Sequence, residues 1–355
     1  MGRALLGQIE AHFRERREDT AIRVVAVADT SGVVSGSEGM DGIRLRSLAD
    51  HKASGGAFAS MVGVTATPSG DRASHDALNR IFGARSRRGV VIDVTAAETS
   101  TLLERAMEDG WNVVLANKRP LAGSQASVDR LHELERRNST RLLYEATVGA
   151  GLPVLDTLRK LRLAGDRILS VEGCPSGTLG FLFAELAKGR TLSHALRQAI
   201  AAGYCERDPR EDLSGNDVAR KAIILGRAIG WRGDPTEVSA ESLVPAALRH
   251  VSREEFLARL GELDAGYGSL VERARAARFS GKTLRYRVRV SADEVRVGVV
   301  DVLPSEPLGL LEGTDNQFAC HTTHYCDRPL VITGPGAGSQ LTASAVLSDV
   351  LAIAT

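Results

Sequence analysis

The chain has 355 residues, and its 45 lysines and arginines stand against 44 aspartates and glutamates, a formal net charge of +1. That balance excludes an electrostatic case for nucleic acid or an anionic membrane as partner. With 43% hydrophobic and 25% charged residues the composition is that of a globular protein, and the length asks for two domains or one with a large insertion.

No apolar run reaches the roughly 18 residues of a membrane span. The opening MGRALLGQIEAHFRERRED lacks the apolar core and cleavage site of a secretory signal. Four scattered cysteines make no disulfide framework, so the expectation is a cytoplasmic protein.

The chain opens on a helical pattern with Leu5, Ile9 and Phe13 on one face. IRVVAVA at 22–28 reads as a buried strand with Asp29 at its carboxyl end, while 31–75 is rich in Gly and Ser and gives no clear element. VVIDV at 90–94 is a strand leading to Thr95. A helix over about 98–109 and the strand WNVVL at 111–115 then deliver ANK at 116–118. A helix near 124–137 and the strand RLLY at 141–144 complete the series. Such alternation predicts a parallel, doubly wound sheet. Ligands of these sheets bind outside the carboxyl ends of the strands, which puts Asp29, Thr95 and Lys118 in one crevice.

The pattern changes after TVGAGLP. Pro153 suits the first turn of a helix that Gly165 stops. Ile168 to Gly173 reads as a strand, CPSGTLGFLF as a turn into a helix, and helices follow near 193–202, 215–229 and over much of 253–277. LRYRVRV and VRVGVV around Ser291 to Glu294 have the alternation of a hairpin with one solvated face. A strand at 329–333 leads to GPGAG at 334–338 and a last apolar helix ending at Ala354.

The densest chemistry lies in GYCERDPREDLSGNDVARK at 203–221, where Glu206, Asp208, Glu211, Asp212 and Asp217 precede Lys221. Asp217 and Lys221, four apart, share one helix face. Ser214, three before Asp217, has capping-box spacing. An ordinary capped helix with an ion pair competes here with an acid-lined site holding a lysine proton donor. At the front of the chain, the strand and GxGxxG of a dinucleotide fold are not present. Gly2 stands where the third glycine would let helix and strand pack closely. Losing a central strand would orphan backbone groups of two neighbours at about 1–3 kcal/mol each. The expectation is therefore a natural start roughly ten residues upstream.

ANK at 116–118, YEATVGAGLP at 144–153, GDRILSVEGCPSGTL at 165–179, the 203–221 segment and GPGAG together resemble homoserine dehydrogenase, over essentially the whole chain. The resemblance implies NAD(P)H-dependent reduction of L-aspartate 4-semialdehyde to L-homoserine, on the route to threonine and methionine, by a homodimer. Lys221 matches the proton donor, and Lys118 a lysine at the junction of cofactor and substrate. Glu206 and Asp217 match substrate-side acids, with Asp212 as a third expected contact. Thr95, Gly203 and Gly338 fall at cofactor contacts, with Gly2 and Asp29 expected to join them. Glu145 and the carbonyls of Val148, Ala150 and Leu152 match a structural sodium site. Arg207 stands where the family usually has Pro, and Glu211 replaces an Asp. The implied architecture is a Rossmann-type dinucleotide domain at 1–140, completed by 336–355. An α+β catalytic and dimerisation region with a mixed sheet follows at 141–335. The alternative is a relative that cannot hold cofactor and serves only as a dimer partner.

The chemistry of these residue types agrees. Hydride arriving at an aldehyde carbon builds charge on the oxygen, which an ammonium stabilises and protonates. A carboxylate such as Glu206 suits the substrate's α-ammonium. Asp29, at the end of the second strand of such a fold, favours NAD through the ribose hydroxyls. Cys320, His321, His324 and Cys326 suggest zinc, but read as one strand Cys320, His324 and Cys326 face one way and His321 the other, unlike the tight turns of paired zinc ligands. Cys174 and Cys205 flank the expected substrate loops, with no sign of a lowered pKa.

Overall fold

The computed structural model describes residues 1–15, 22–36, 38–61, 71–84, 89–266 and 268–354. The chain divides into two compact units, one of Met1–Pro120, Ala126–Ala146 and Gly338–Thr355, the other of Leu121–Gln125 and Thr147–Ala337.

The first unit runs through α1 (Gly2–Glu15), β1 (Ala26–Asp29), β2 (Gly32–Ser35), α2 (Gly42–Ala53), α3 (Asp71–Ala84), β3 (Val90–Asp93), α4 (Ser100–Glu108), β4 (Asn112–Leu115), α6 (Gln125–Asn138) and β5 (Leu142–Leu143), with the short α5 (Arg119–Ala122) at its border. Leu5 and Ile9 of α1 are buried with Leu45 and Leu48 of α2 and with Ala343, Val346 and Val350 of the chain's last helix. The side chain of Phe13 lies outside the described residues. β3, β4 and β5 form a parallel sheet in that order.

β1 differs from its expectation. It pairs antiparallel with β2 around a two-residue turn, Asp29 opposite Gly32, and not with the parallel sheet among the described residues. The strand predicted at 22–28 is also shorter, because the carbonyls of Val24 and Val25 accept from Met40 and Gly36 of the following loop.

The second unit contains α7 (Val154–Leu163), β6 (Ile168–Cys174), α8 (Gly177–Ala187), α9 (Leu192–Ala201), α10 (Pro209–Leu213), α11 (Asn216–Ile229), α12 (Arg253–Ala258), α13 (Glu262–Gly266), α14 (Gly268–Phe279), β7 (Thr283–Val290), β8 (Val295–Val302), β9 (Asp315–Thr322) and β10 (Leu330–Pro335). α15 (Ser339–Ala354) returns to the first unit. The five strands lie in the order β10-β9-β6-β7-β8, all pairs antiparallel. One isolated parallel bridge joins Ala240 and Val297. Register places Phe318, Gly173 and Val288 on one face, and Phe183 of α8 approaches Tyr286 of β7 on it. Ala319, Glu172 and Arg289 lie on the other, where Glu172 pairs with Arg287 at 3.0 Å.

The strand expected through Cys326 stops at Thr322. The buried Asp166 carboxylate accepts the hydroxyls of Thr322 (2.6 Å) and Thr323 (2.7 Å) and the His324 N–H (3.2 Å), turning the chain out of the sheet. Cys320 stays buried in β9 while Cys326 is exposed. Among the described residues no three His, Cys, Asp or Glu side chains are grouped to hold a metal, and no helix is long and apolar enough to cross a membrane.

Candidate functional site

The turn that closes α9 passes through Gly203, whose φ of 73° is the left-handed value that Gly reaches without strain. Its N–H and that of Tyr204 return to the carbonyls of Ile200 and Ala199. The chain then crosses Glu206 and Asp208, forms α10, and turns into α11 at Gly215. Gly215 is required twice over: its φ is 72°, and a Cβ there would lie 2.1 Å from the Tyr286 hydroxyl.

The capping box expected of Ser214 does not form. Gly215 is the N-cap of α11 and makes no side-chain cap, while Ser214 closes α10. The Ser214 hydroxyl donates to the Glu211 carbonyl and accepts from the Asn216 N–H.

The ion pair of the capped-helix reading is present, Lys221 Nζ to Asp217 Oδ2 at 2.8 Å. Lys221 also donates to the carbonyl of Pro175 at 2.7 Å, in the turn between β6 and α8, and its side chain is only 12% exposed. A lysine held by a carbonyl and a carboxylate presents its remaining N–H in one direction. The segment's acids also come together. Asp212 accepts from the Glu206 N–H (2.9 Å) and from the Thr178 hydroxyl (3.1 Å). Burial pushes the Asp212 carboxyl above its ordinary range, and the charges of Glu206 and Asp217 push the same way, against those two hydrogen bonds. Among the described residues the Glu206 carboxylate accepts no hydrogen bond.

The strand ends of the first unit carry two further polar networks, one on Asp93 and one on Asp29. Asp93, buried at the end of β3, accepts from the Thr95 N–H (2.9 Å), the Thr99 hydroxyl (2.6 Å) and Asn117 Nδ2 (2.9 Å). Asn117 Nδ2 also reaches the Ala97 carbonyl at 2.8 Å, and its Oδ1 accepts from the Arg119 N–H. This lattice fixes Thr95 and the half-buried Lys118 at adjacent strand ends. Asp29, at the end of β1, accepts from Ser31 N (2.7 Å), Gly32 N (3.1 Å) and Lys52 Nζ (2.7 Å). Burial raises its carboxyl, but the bonds from Lys52 and Ser31 outweigh that and hold it below the usual range. Sequence reasoning named Asp29, Thr95 and Lys118 and missed Asp93, Asn117, Thr178 and Pro175. An acid closing a buried strand and an Asn inside ANK were the available signals for the first two.

The remaining residues are placed as follows. A Cβ at Gly2 would meet Val94 at an ordinary 3.6 Å, so close packing does not demand glycine there. Gly338 precedes α15 with φ 129°. Glu145 is buried, and its N–H donates to Asp349 at 3.0 Å. Gly149 and Ala150 both have left-handed φ, 79° and 55°, which turns the successive carbonyls of 148–152; that of Leu152 already accepts the Val154 N–H at 2.8 Å. Burial pushes the Cys174 thiol up to about 12. Cys205 is pushed equally far by burial, then by Asp212 and Glu206, so neither is a thiolate near neutral pH.

Comparison with known proteins identifies the family. A family model described as homoserine dehydrogenase matches residues 153–351, and one described as homoserine dehydrogenase, NAD binding domain, matches 1–145. The chloroplastic bifunctional aspartokinase/homoserine dehydrogenase 2 of Arabidopsis thaliana is 40% identical over 282 residues, 75% of this chain but 29% of that protein. The chain thus spans less than a third of that relative's length. A homoserine dehydrogenase of Paracoccidioides brasiliensis is 37% identical over 279 residues, 75% of this chain and 74% of its own. The solved structure of a putative homoserine dehydrogenase from Archaeoglobus fulgidus has a TM-score of 0.75 at 25% identity, over 99% of this chain and 96% of that one. Both halves of the chain are matched, and the chain belongs to the homoserine dehydrogenase family.

Proposed function

We propose that this chain catalyses the NAD(P)-dependent interconversion of L-homoserine and L-aspartate 4-semialdehyde. The observation that carries the reading is Lys221, held by Pro175 and Asp217, in a segment where the charges of Glu206 and Asp217 act on the Asp212 carboxyl. The carboxylates take the α-ammonium of the amino acid through charge-assisted hydrogen bonds. Lys221 protonates the oxygen of the aldehyde as it becomes an alcohol, and Asp217 orients that ammonium. A nicotinamide cofactor, when bound, would supply the hydride in this direction and accept it in the other. The strand ends of the first unit suit such a cofactor, with Thr95, Lys118 and Asp29 fixed there and Gly338 preceding α15. The non-catalytic alternative gains no support from any of these contacts.

Three finer readings go with the proposal. A homodimer would form through the sheet face bearing Glu172, Arg287 and the 39%-exposed Val331. The enzyme would work in the cytoplasm. A sodium ion would suit the turned carbonyls of Val148, Ala150 and Leu152 together with Glu145, as an all-oxygen donor set.

The test is a steady-state assay with homoserine and NAD or NADP on the wild type and on Lys221→Ala. The expected outcome is activity in the wild type and a turnover loss of about a hundredfold or more in the variant, the usual worth of a general acid. A wild type that leaves homoserine unoxidised sinks the function, and near-wild-type turnover in Lys221→Ala sinks the role of the lysine.

A further inference from the structure

Arg210 is not among the residues that the sequence points to, yet it is the most heavily bonded side chain of the 203–221 segment. Its Nε donates to both carboxylate oxygens of Asp208, at 3.0 and 3.2 Å, and Nη2 donates to Oδ2 at 2.6 Å. Nη1 points the other way, to the carbonyls of Val251 (2.6 Å), Leu248 (3.4 Å) and Arg249 (3.4 Å). The guanidinium lies over the buried Phe256 ring, 5.4 Å from its centroid. Asp208 in turn caps α10 through the Arg210 N–H at 3.0 Å. Nearby, Arg253 Nε donates to the carbonyl of Arg207 at 2.7 Å. One planar cation thus fastens the loop between α9 and α10 to the 248–256 segment.

That loop and α10 after it carry the acids of the site. Glu206 lies two residues before Asp208 and Asp212 two after Arg210, and the Glu206 N–H is bonded to the Asp212 carboxylate. Glu206 and Asp212 repel one another, and the Glu206 N–H is the one direct tie between them. A further tie that leaves both charges in place opposes that repulsion. Arg210 is placed to do so. Its charge is spent on Asp208, whose carboxyl it holds below the usual range, and its remaining donors go to backbone. A lysine could not do both, because it lacks the planar fork that engages a carboxylate on one edge and carbonyls on the other.

We infer that Arg210 is a positioning residue for amino-acid binding, acting through Asp208 to hold Glu206 and Asp212 in the arrangement that receives the substrate ammonium. The inference rests on reading 203–221 as the amino-acid-binding segment. Displacement of binding groups by about an ångström costs up to roughly a hundredfold. The loss falls on recognition of the amino acid, since Arg210 touches neither Lys221 nor Asp217.

The experiment is homoserine oxidation by the full chain, wild type against Arg210→Gln, Arg210→Lys and Asp208→Asn, with kcat, both KM values and melting temperature measured. The expected result is a KM for homoserine raised at least about fivefold in Arg210→Gln, partly restored in Arg210→Lys, with the cofactor KM within about twofold of wild type. Asp208→Asn keeps a capping side chain and loses only the charged pair, so it should show the same shift in KM with a smaller change in melting temperature. It decides the matter if Arg210→Gln does not fold. A rise below about fivefold in the folded variants, or a loss confined to kcat and melting temperature, overturns the inference and marks Arg210 as an ordinary structural arginine. A wild type inactive on homoserine overturns the functional reading and takes this inference with it, whereas an active wild type with unaltered variants overturns the inference alone.

Discussion

The polar groups of the two units are built on opposite principles. At the strand ends of the first unit the acids are matched by donors of the same unit: Asp93 by Thr95, Thr99 and Asn117, and Asp29 by Ser31, Gly32 and Lys52. In the second unit the charges of Glu206 and Asp217 both act on Asp212, with Lys221 as the ammonium that pairs with Asp217. The networks of the first unit are finished and their product is shape, suited to a large ligand that needs a fixed surface. The second unit retains negative charge at a cost in self-repulsion, suited to a small cationic group that must be drawn in and oriented.

The comparison breaks most sharply at Asn117. Replacing it by Leu removes a donor from buried Asp93 and leaves that carboxylate short, at a cost of about 1–3 kcal/mol in urea unfolding. The displaced Thr95 and Lys118 should raise the cofactor KM by about ten- to a hundredfold. If stability and cofactor KM both stay at wild-type values, the lattice is not what holds the strand ends.

Asp29 sharpens the contrast from the other side. Its carboxylate is engaged by Lys52, so the acid that would favour ribose hydroxyls carries its own counter-charge. Asp29→Asn leaves the Lys52 ammonium without that carboxylate, and the ratio of kcat/KM for NADP over NAD should rise by about tenfold. An unchanged ratio would place the choice of cofactor elsewhere.

How much of this was legible in the sequence follows from the range of each interaction. Val90–Asp93, Asn112–Leu115 and the β7–β8 hairpin were readable because burial acts residue by residue and leaves a period. β2 was not, because Val33 and Val34 are buried in a hairpin of only four-residue strands inside a Gly- and Ser-rich stretch. The i,i+4 relation of Asp217 and Lys221 could be read from spacing, but the Pro175 carbonyl that completes the lysine's setting is 46 residues away and has no side-chain signature. Ser214 had the right spacing for a capping box and lost to Gly215, because the left-handed φ and the close approach of Tyr286 both ask for glycine at the helix start. Arg210 carries no signal of its own in the sequence; only the fold brings 248–251 to its far edge.

The smallest expected effect concerns pH. Asp208 and Asp212, four residues apart, are shifted in opposite directions. For Asp208 the folded pKa is lowered by Arg210, so its pairing stabilises the fold above the unfolded value near 3.8 and is lost as pH falls through the folded value. For Asp212 the folded pKa is raised, so the ionised group weighs against the fold at neutral pH, and that cost disappears as pH falls through the raised value. A bound ammonium favours the ionised form and reverses the second effect. The KM for homoserine should therefore climb on the acid side, beginning at a higher pH than an unshifted aspartate would allow. Thr178→Val removes the hydroxyl whose one proton is shared between the Tyr204 carbonyl (2.7 Å) and Asp212 (3.1 Å), raises that pKa further and should move the climb to higher pH, with a KM change of a few fold at the acid end. Coincident profiles for wild type and Thr178→Val would show that Asp212 does not carry the charge the substrate meets, and would leave Glu206 as the acid that does.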